Sequence, residues 1–283
     1  MSARIIDGKR MATKIISQIA KKVSKLKNKP CLAFVLVGET PSSMIYANKK
    51  LEDCKKAGIR SKILRLPASC SSQKLRMQIR KLNADPTVDG IIVQLPLPSH
   101  IEEEEVIEEI SPEKDVDGFH PINLGKLVAG KGEILPCTPK GVVYMLKKSG
   151  AELDGKHAVI IGRSRIVGKP LAFMLLKENC TVTVCHSRTE NLTKHTKEAD
   201  IVIVAVGKPK LLKANMVKKG AIVIDVGINR QGEKIVGDVD FEEVSKKASL
   251  ITPVPGGVGP MTRAMLLANT LHCYFKRRGE NAV

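Results

Sequence analysis

Short apolar runs alternate with amphipathic helical stretches along the whole chain, and this alternation limits the fold more than any other feature. In the first half the runs Leu32–Val37, Ser61–Leu66 and Gly90–Leu95 read as strands. Helices are expected over Asp7–Leu26, Ser43–Ala57, Ser72–Asn83 and Glu102–Glu109. The second half repeats the pattern with Ala158–Ile161, Thr181–Cys185, Ile201–Val206, Ala221–Val226 and Leu250–Thr252. Its helices start near Gly168, Asn191 and Asp240. Strands that each give way to a helix argue for parallel sheets, so the expectation is α/β throughout. A length of 283 residues suits two such domains. The junction is expected near Pro136–Gly141, where PCTPKG opens a helix. That gives a first domain over 1–138 and a second, Rossmann-like one over 139–261, with a cleft between them. A last helix over 262–283, with Gly259 as cap and Pro260 in its first turn, is expected to pack back on the first domain.

Several classes of protein are excluded early. Charges interrupt MSARIIDGKRMATKI before an apolar run reaches signal-peptide length, and no stretch approaches a membrane span. The seven cysteines are odd in number and form no CxxC, so neither a disulfide framework nor a thiolate metal site is signalled. They read as reduced thiols in a cytoplasmic setting. No metal ligand set emerges from the six histidines. The formal charge is +18, yet the basic residues come as dispersed pairs such as Lys21–Lys22 and Lys218–Lys219. Aromatics are 3% and Trp is absent, so a stacking platform for nucleic acid is not expected. A lysine-rich solvated surface is the preferred reading.

The segment His157–His186 has the length of one βαβ unit. Its strand AVII runs into GRSRIVGKP. Gly162 and Gly168 would let backbone approach a pyrophosphate, and the following helix offers unpaired amides. The match to GxGxxG is imperfect, because Ser164 and Val167 stand at the second and third glycine positions. A plain strand–helix turn stays open on this motif alone. The second strand ends in Cys185-His186-Ser187-Arg188-Thr189, without an acid to accept a ribose 2′-hydroxyl. Arg163 and Arg188 could instead hold a 2′-phosphate, which favours NADP over NAD. After the last strand, VPGGVGPMT gathers Pro255, Gly256 and Gly257 into a shaped turn at the sheet's C-terminal edge. Asp240 and Glu243 have capping-box spacing and are expected to serve a helix rather than catalysis.

In the first half, Tyr46 and Lys50 lie four residues apart on one helix and therefore share a face. They flank an apolar stripe of Met44, Ala47, Leu51 and Cys54. A lysine acts as acid or base near neutrality only where its surroundings favour the neutral amine. Gln94 ends the strand GIIV and must satisfy both a donor and an acceptor. Asp117 precedes Gly118 in KDVDGFH, and two readings stay open: an Asp-Gly turn, or a carboxylate for bidentate pairing with an amino-substituted heterocycle.

Taken together, YxxxK at 46–50, VQLPLP around Gln94, KDVDGFH around Asp117, PCTPKG at 136–141, GRSxxVGxP at 162–170 and TPVPGGVGPMT at 252–262 occur in one order. In this the chain closely resembles the bifunctional methylenetetrahydrofolate dehydrogenase/methenyltetrahydrofolate cyclohydrolases, from IIDGK to the last helix. The resemblance implies hydride transfer from methylenetetrahydrofolate to NADP+, then hydrolysis of the methenyl product to 10-formyltetrahydrofolate. It implies that Lys50 moves the proton, that Gln94 orients its amine, that Tyr46 stacks on the folate and that Asp117 holds the pterin edge. Pro255, Gly256 and Gly257 would border pterin and nicotinamide. Arg163, Ser164, His186 and Ser187 would meet the adenosine-side phosphates, and Thr138 would lie near the nicotinamide. Tetrahydrofolate derivatives, polyglutamated or not, are the implied ligands, and a homodimer through the nucleotide domain the implied assembly. Glu39-Thr40-Pro41-Ser42 departs from the usual loop, and Arg165 and Arg263 add charge beside matching motifs. The rivals are a variant keeping one activity, and a basic nucleic-acid-binding protein on a relic nucleotide fold.

Overall fold

The computed structural model describes residues 2–38 and 41–279, without the side chains of 41–43. Glu39 and Thr40 of the divergent loop therefore lie outside the described residues. The chain divides into two compact units, one of Met1–Ala12 with Thr138–Thr262, the other of Thr13–Cys137 with Arg263–Val283.

The second of these units holds a three-stranded parallel sheet in the order Arg60–Leu66, Cys31–Val37, Gly90–Val93. The central strand CLAFVLV is buried at every position, as befits a strand paired on both sides and covered on both faces. Leu75, Ile79 and Leu82 of helix Ser72–Ala84 pack against Ala33, Val35, Ile91 and Val93. Ser71 starts that helix by accepting the amide of Lys74. At the other end, the buried Lys114 ammonium donates to the carbonyls of Leu82, Asn83 and Asp85, satisfying the last turn.

From Arg263 onward, helix Val258–Lys276 belongs to this unit. Asn269, fully buried, donates Nδ2 to the carbonyls of Val116 (2.8 Å) and Leu135 (2.9 Å). Past the helix, Arg277 and Arg278 both reach the buried carboxylate of Asp89.

The first unit is built on a six-stranded parallel sheet. Its order is Arg4–Ile5, Leu250–Ile251, Ile222–Asp225, Ile201–Val204, His157–Ile161, Thr181–Cys185. After the edge strand Arg4–Ile5 the chain re-enters this sheet at the interior strand His157–Ile161, moves outward to Thr181–Cys185, then returns to the other side at Ile201–Val204. Strand order thus reverses between His157–Ile161 and Ile201–Val204, the place where open α/β sheets bind ligands. Two parallel α/β units, one of them Rossmann-like, agree with the sequence expectation.

Three details differ from it. Residues 4 and 5, assigned by sequence to the folate half, pair with Leu250 and Ile251 in the dinucleotide sheet. Such a two-residue edge carries too little pattern to read. The last helix begins at Val258, so Gly259 lies inside its first turn rather than capping it. Asp240 does precede helix Phe241–Ser245, but its side chain makes no capping bond, and its carboxylate sits 3.6 Å from Lys210 instead.

Candidate active site

Within the unit of Thr13–Cys137 and Arg263–Val283 the site is assembled by three segments. Helix Pro41–Ala57 buries Ala47, Cys54 and Ala57 and leaves Tyr46 and Lys50 beside that buried stripe. Tyr46 stays 38% exposed, enough to offer a ring face to a ligand. Burial pushes its phenol up, and the Arg263 cation opposes the shift. Strand Gly90–Val93 stops one residue before Gln94, which is two residues shorter than the sequence suggests. The Gln94 amide still bonds the carbonyl of Val35 at 3.0 Å, so its side chain leaves from a fixed backbone.

The Lys50 Nζ donates to Gln94 Oε1 at 3.1 Å, and Gln94 Nε2 donates to the Leu95 carbonyl at 2.7 Å. The second bond settles which amide atom faces Lys50. Gln94 therefore presents an acceptor to the amine and can hold it in one direction. The sequence could only say that Gln94 needs partners; the structure gives both.

KDVDGFH resolves into two carboxylates with different tasks. Asp115 is almost wholly buried and accepts from the Gly118 amide (3.0 Å), the His120 amide (2.9 Å) and Asn123 Nδ2 (2.9 Å). It is Asp115, not Asp117, that shapes the turn, and Gly118 takes the φ of +76° that the turn requires. Asp117 is thereby left with no hydrogen-bond partner among the described residues. Burial raises its pKa, the Lys50 charge opposes the rise and the Asp115 charge adds to it, leaving the group at about 6. An unspent carboxylate held near an ammonium suits a flat heterocycle with two adjacent N–H donors.

In the dinucleotide unit, Gly162 follows His157–Ile161 with φ +126°, and a Cβ there would lie 2.3 Å from the Ala205 carbonyl oxygen. A Cβ on Gly168 would lie 2.0 Å from the oxygen of Gly162. Only glycines let this loop close onto helix Gly168–Lys177 beside the switch point. Ser164 Oγ accepts from the amides of Val167 (3.1 Å) and Gly168 (3.4 Å), so it ties the loop to the helix start. Arg163 is exposed and forms no hydrogen bond or ion pair among the described residues. At the end of the neighbouring strand, His186 Nδ1 accepts the Arg188 amide at 3.1 Å, while the side chains of Ser187 and Arg188 stand exposed. Glycines for close approach, a helix start and two unpaired guanidinium groups make a donor set that fits a phosphorylated dinucleotide.

The Pro255–Gly256–Gly257 turn is held from the chain's beginning. The Lys9 amide donates to Gly256 O at 2.8 Å, and a Cβ on Gly8 would strike Gly257 O at 1.9 Å. Gly256 has φ +107°. Thr138 and Thr262 share a hydrogen bond of 2.9 Å at the helix starts flanking this turn. Sequence reasoning missed Gly8, Asp115 and Asn269 as parts of the site's scaffold. Gly8 and Asp115 both sit in motifs it quoted, IIDGK and KDVDGFH, whereas Asn269 is a lone polar residue on an otherwise apolar helix stretch, which is the signal that could have found it.

A parallel sheet with a glycine-lined loop at its switch point defines a dinucleotide-binding α/β enzyme. Comparison with known proteins narrows this. Residues 6–117 match the tetrahydrofolate dehydrogenase/cyclohydrolase catalytic domain, and residues 136–278 match the NAD(P)-binding domain of the same family. The bifunctional protein FolD of Halalkalibacterium halodurans is 55% identical over 274 residues, 96% of this chain and 98% of its own. The crystal structure of the bifunctional FolD methylenetetrahydrofolate dehydrogenase/cyclohydrolase from Campylobacter jejuni is 50% identical, with a TM-score of 0.96 over 98% of this chain and 100% of that one. The Trypanosoma brucei methylenetetrahydrofolate dehydrogenase-cyclohydrolase, solved with NADP cofactor and an inhibitor, is 37% identical, with a TM-score of 0.94 over 99% of this chain and 100% of that one. The chain belongs to the tetrahydrofolate dehydrogenase/cyclohydrolase family, and the two activities of that name are its own.

Proposed function

We propose that this chain oxidises methylenetetrahydrofolate with NADP+ and hydrates the methenyl product to 10-formyltetrahydrofolate, with Lys50 as the proton-transfer group. The observation that carries the reading is the Lys50–Gln94 bond of 3.1 Å, which aims an amine while leaving the Asp117 carboxylate unspent. Bound NADP+ supplies the hydride acceptor. Tyr46 and Asp117 orient the folate, Tyr46 by its ring face and Asp117 by taking the pterin N–H donors. Folate nitrogen lone pairs drive hydride departure, so these residues contribute position rather than a proton.

Hydration does need a proton moved. The positive methenyl group beside Lys50 favours the neutral amine. Lys50 then takes a proton from the water that adds to the methenyl carbon. It returns one to N5 as the carbon–N5 bond breaks, which leaves the formyl group on N10 and releases one proton overall. Gln94 keeps the amine pointed at that carbon throughout.

Preference for NADP rests on the unpaired Arg163 and Arg188 at the strand ends, and the NADP-bound Trypanosoma brucei relative supports it. Arg163, Ser164, His186 and Ser187 would receive the adenosine-side phosphates, and Thr138 and the Pro255–Gly257 turn would lie by the nicotinamide. The same reading includes a homodimer through the dinucleotide unit, which the edge strand Thr181–Cys185, paired on one side only among the described residues, supports. It also includes a cytoplasmic setting: all seven cysteines are buried free thiols, and no described helix is long and apolar enough to cross a membrane.

The test is a spectrophotometric assay on methylenetetrahydrofolate with NADP+ against NAD+, following reduced cofactor and the decay of the methenyl intermediate. In Lys50→Met the hydration step should fall by about 100-fold or more while NADP+ binding persists. A cyclohydrolase rate unchanged in that variant would remove Lys50 from the mechanism.

A further inference from the structure

Arg263 directly follows the TPVPGGVGPMT run at 252–262, and the structure shows what it does. Its Nε donates to Asp53 Oδ2 at 2.7 Å. Asp53 is 6% exposed, with Lys56 its other cation at 3.8 Å. Tyr46, Lys50 and Asp53 stand at i, i+4 and i+7 of helix Pro41–Ala57, so all three lie along one face. Asp53 therefore fastens a guanidinium to the same helix face that carries the stacking ring and the amine. That bond uses one donor of five. Both Nη groups have no partner among the described residues, and the side chain keeps 21% of its surface open. The Arg263 charge also reaches the Tyr46 phenol. A fixed arginine with four unspent N–H donors beside an exposed aromatic ring is built for a planar anion attached to a ring system.

Resting on the function given above, we propose that Arg263 binds a glutamate-tail carboxylate of the folate whose ring system lies on Tyr46, with Asp53 as the residue that positions it. A folate joins its ring system to glutamate through an amide, so a molecule stacked on Tyr46 carries its carboxylates to one side of that ring. Substrates with one glutamate or several present the same chemistry to the guanidinium.

The test compares two substrates in two proteins. Methylenetetrahydrofolate and its glutamate-free counterpart, methylenetetrahydropteroate, are assayed with the wild type and with the double variant Asp53→Ala, Arg263→Val. Removing both charges together avoids leaving Asp53 buried without its partner. In the wild type the glutamate should lower KM by about tenfold or more, the range of a charge-assisted hydrogen bond. In the double variant that advantage should collapse to about twofold or less, whatever happens to the overall rate. An advantage of equal size in both proteins, or none in the wild type, overturns the proposal. A wild type that fails to turn over methylenetetrahydrofolate removes the functional reading and this proposal with it, which separates the two failures.

Discussion

Lowering the pH from 8 to 5 should weaken folate binding about tenfold through Asp117 alone. Burial raises this carboxyl to about 6, above the range of a solvated aspartate. Only the ionised form accepts two N–H donors from a pterin. At pH 8 nearly all of it is ionised, and at pH 5 only about a tenth is, so the apparent Kd rises by about the inverse of that fraction. An ordinary aspartate would still be about nine-tenths ionised at pH 5 and would lose almost nothing. The direction is fixed by the shift: the contribution is present above about 6 and is lost as pH falls through that value. Binding of a chemically stable tetrahydrofolate analogue, followed by calorimetry across pH 5–8, measures it. Asp117→Asn should bind more weakly and show a flattened profile. A wild-type profile already flat between pH 5 and 8 would refute the assignment of Asp117 as the pterin-binding carboxylate. The same shift has a stability consequence of opposite sense. Between about pH 4 and 6 the folded chain holds a proton that the unfolded chain has released, so this group's contribution to stability falls as pH rises.

Arg163→Ala should weaken NADP binding by about tenfold or more and leave NAD binding within about twofold, since only NADP carries a 2′-phosphate. Equal losses in titrations of the two cofactors would refute its role. Asn269→Ala should destabilise the fold by about 1–3 kcal/mol, because the Leu135 carbonyl would lose its Asn269 donor and the Val116 carbonyl would keep only the weak Cys137 thiol. Urea unfolding reads the loss, and a stability within about 0.5 kcal/mol of wild type would show that those carbonyls find other donors.

The parts of this site that could be read from sequence are those carried by local spacing. Tyr46 and Lys50 share a helix, and four-residue spacing alone puts them on one face. The glycines at 162, 168, 256 and 257 are legible because they fall within the two strand-to-helix connections that follow His157–Ile161 and Leu250–Ile251, where backbone must pass close. What could not be read depends on partners far along the chain. Asp115 and Asp117 look alike in KDVDGFH until Asn123 takes one of them. Asp53 looks like a surface acid until Arg263, 210 residues later, buries it. Asp240 has the spacing of a cap, yet Lys210 draws its carboxylate away from the helix amides. Strand Arg4–Ile5 is too short to announce itself and is defined only by Leu250–Ile251.

Neither compact unit is a single stretch of polypeptide, and two helices, Gly8–Ser24 and Val258–Lys276, each begin in one unit and end in the other. A gene cut between codons 137 and 138 would therefore yield two fragments that each lack pieces of themselves. One would have no Asn269 to bridge its loops, and the other no first strand to edge its sheet. Separate expression of either half calls for a permuted or grafted chain.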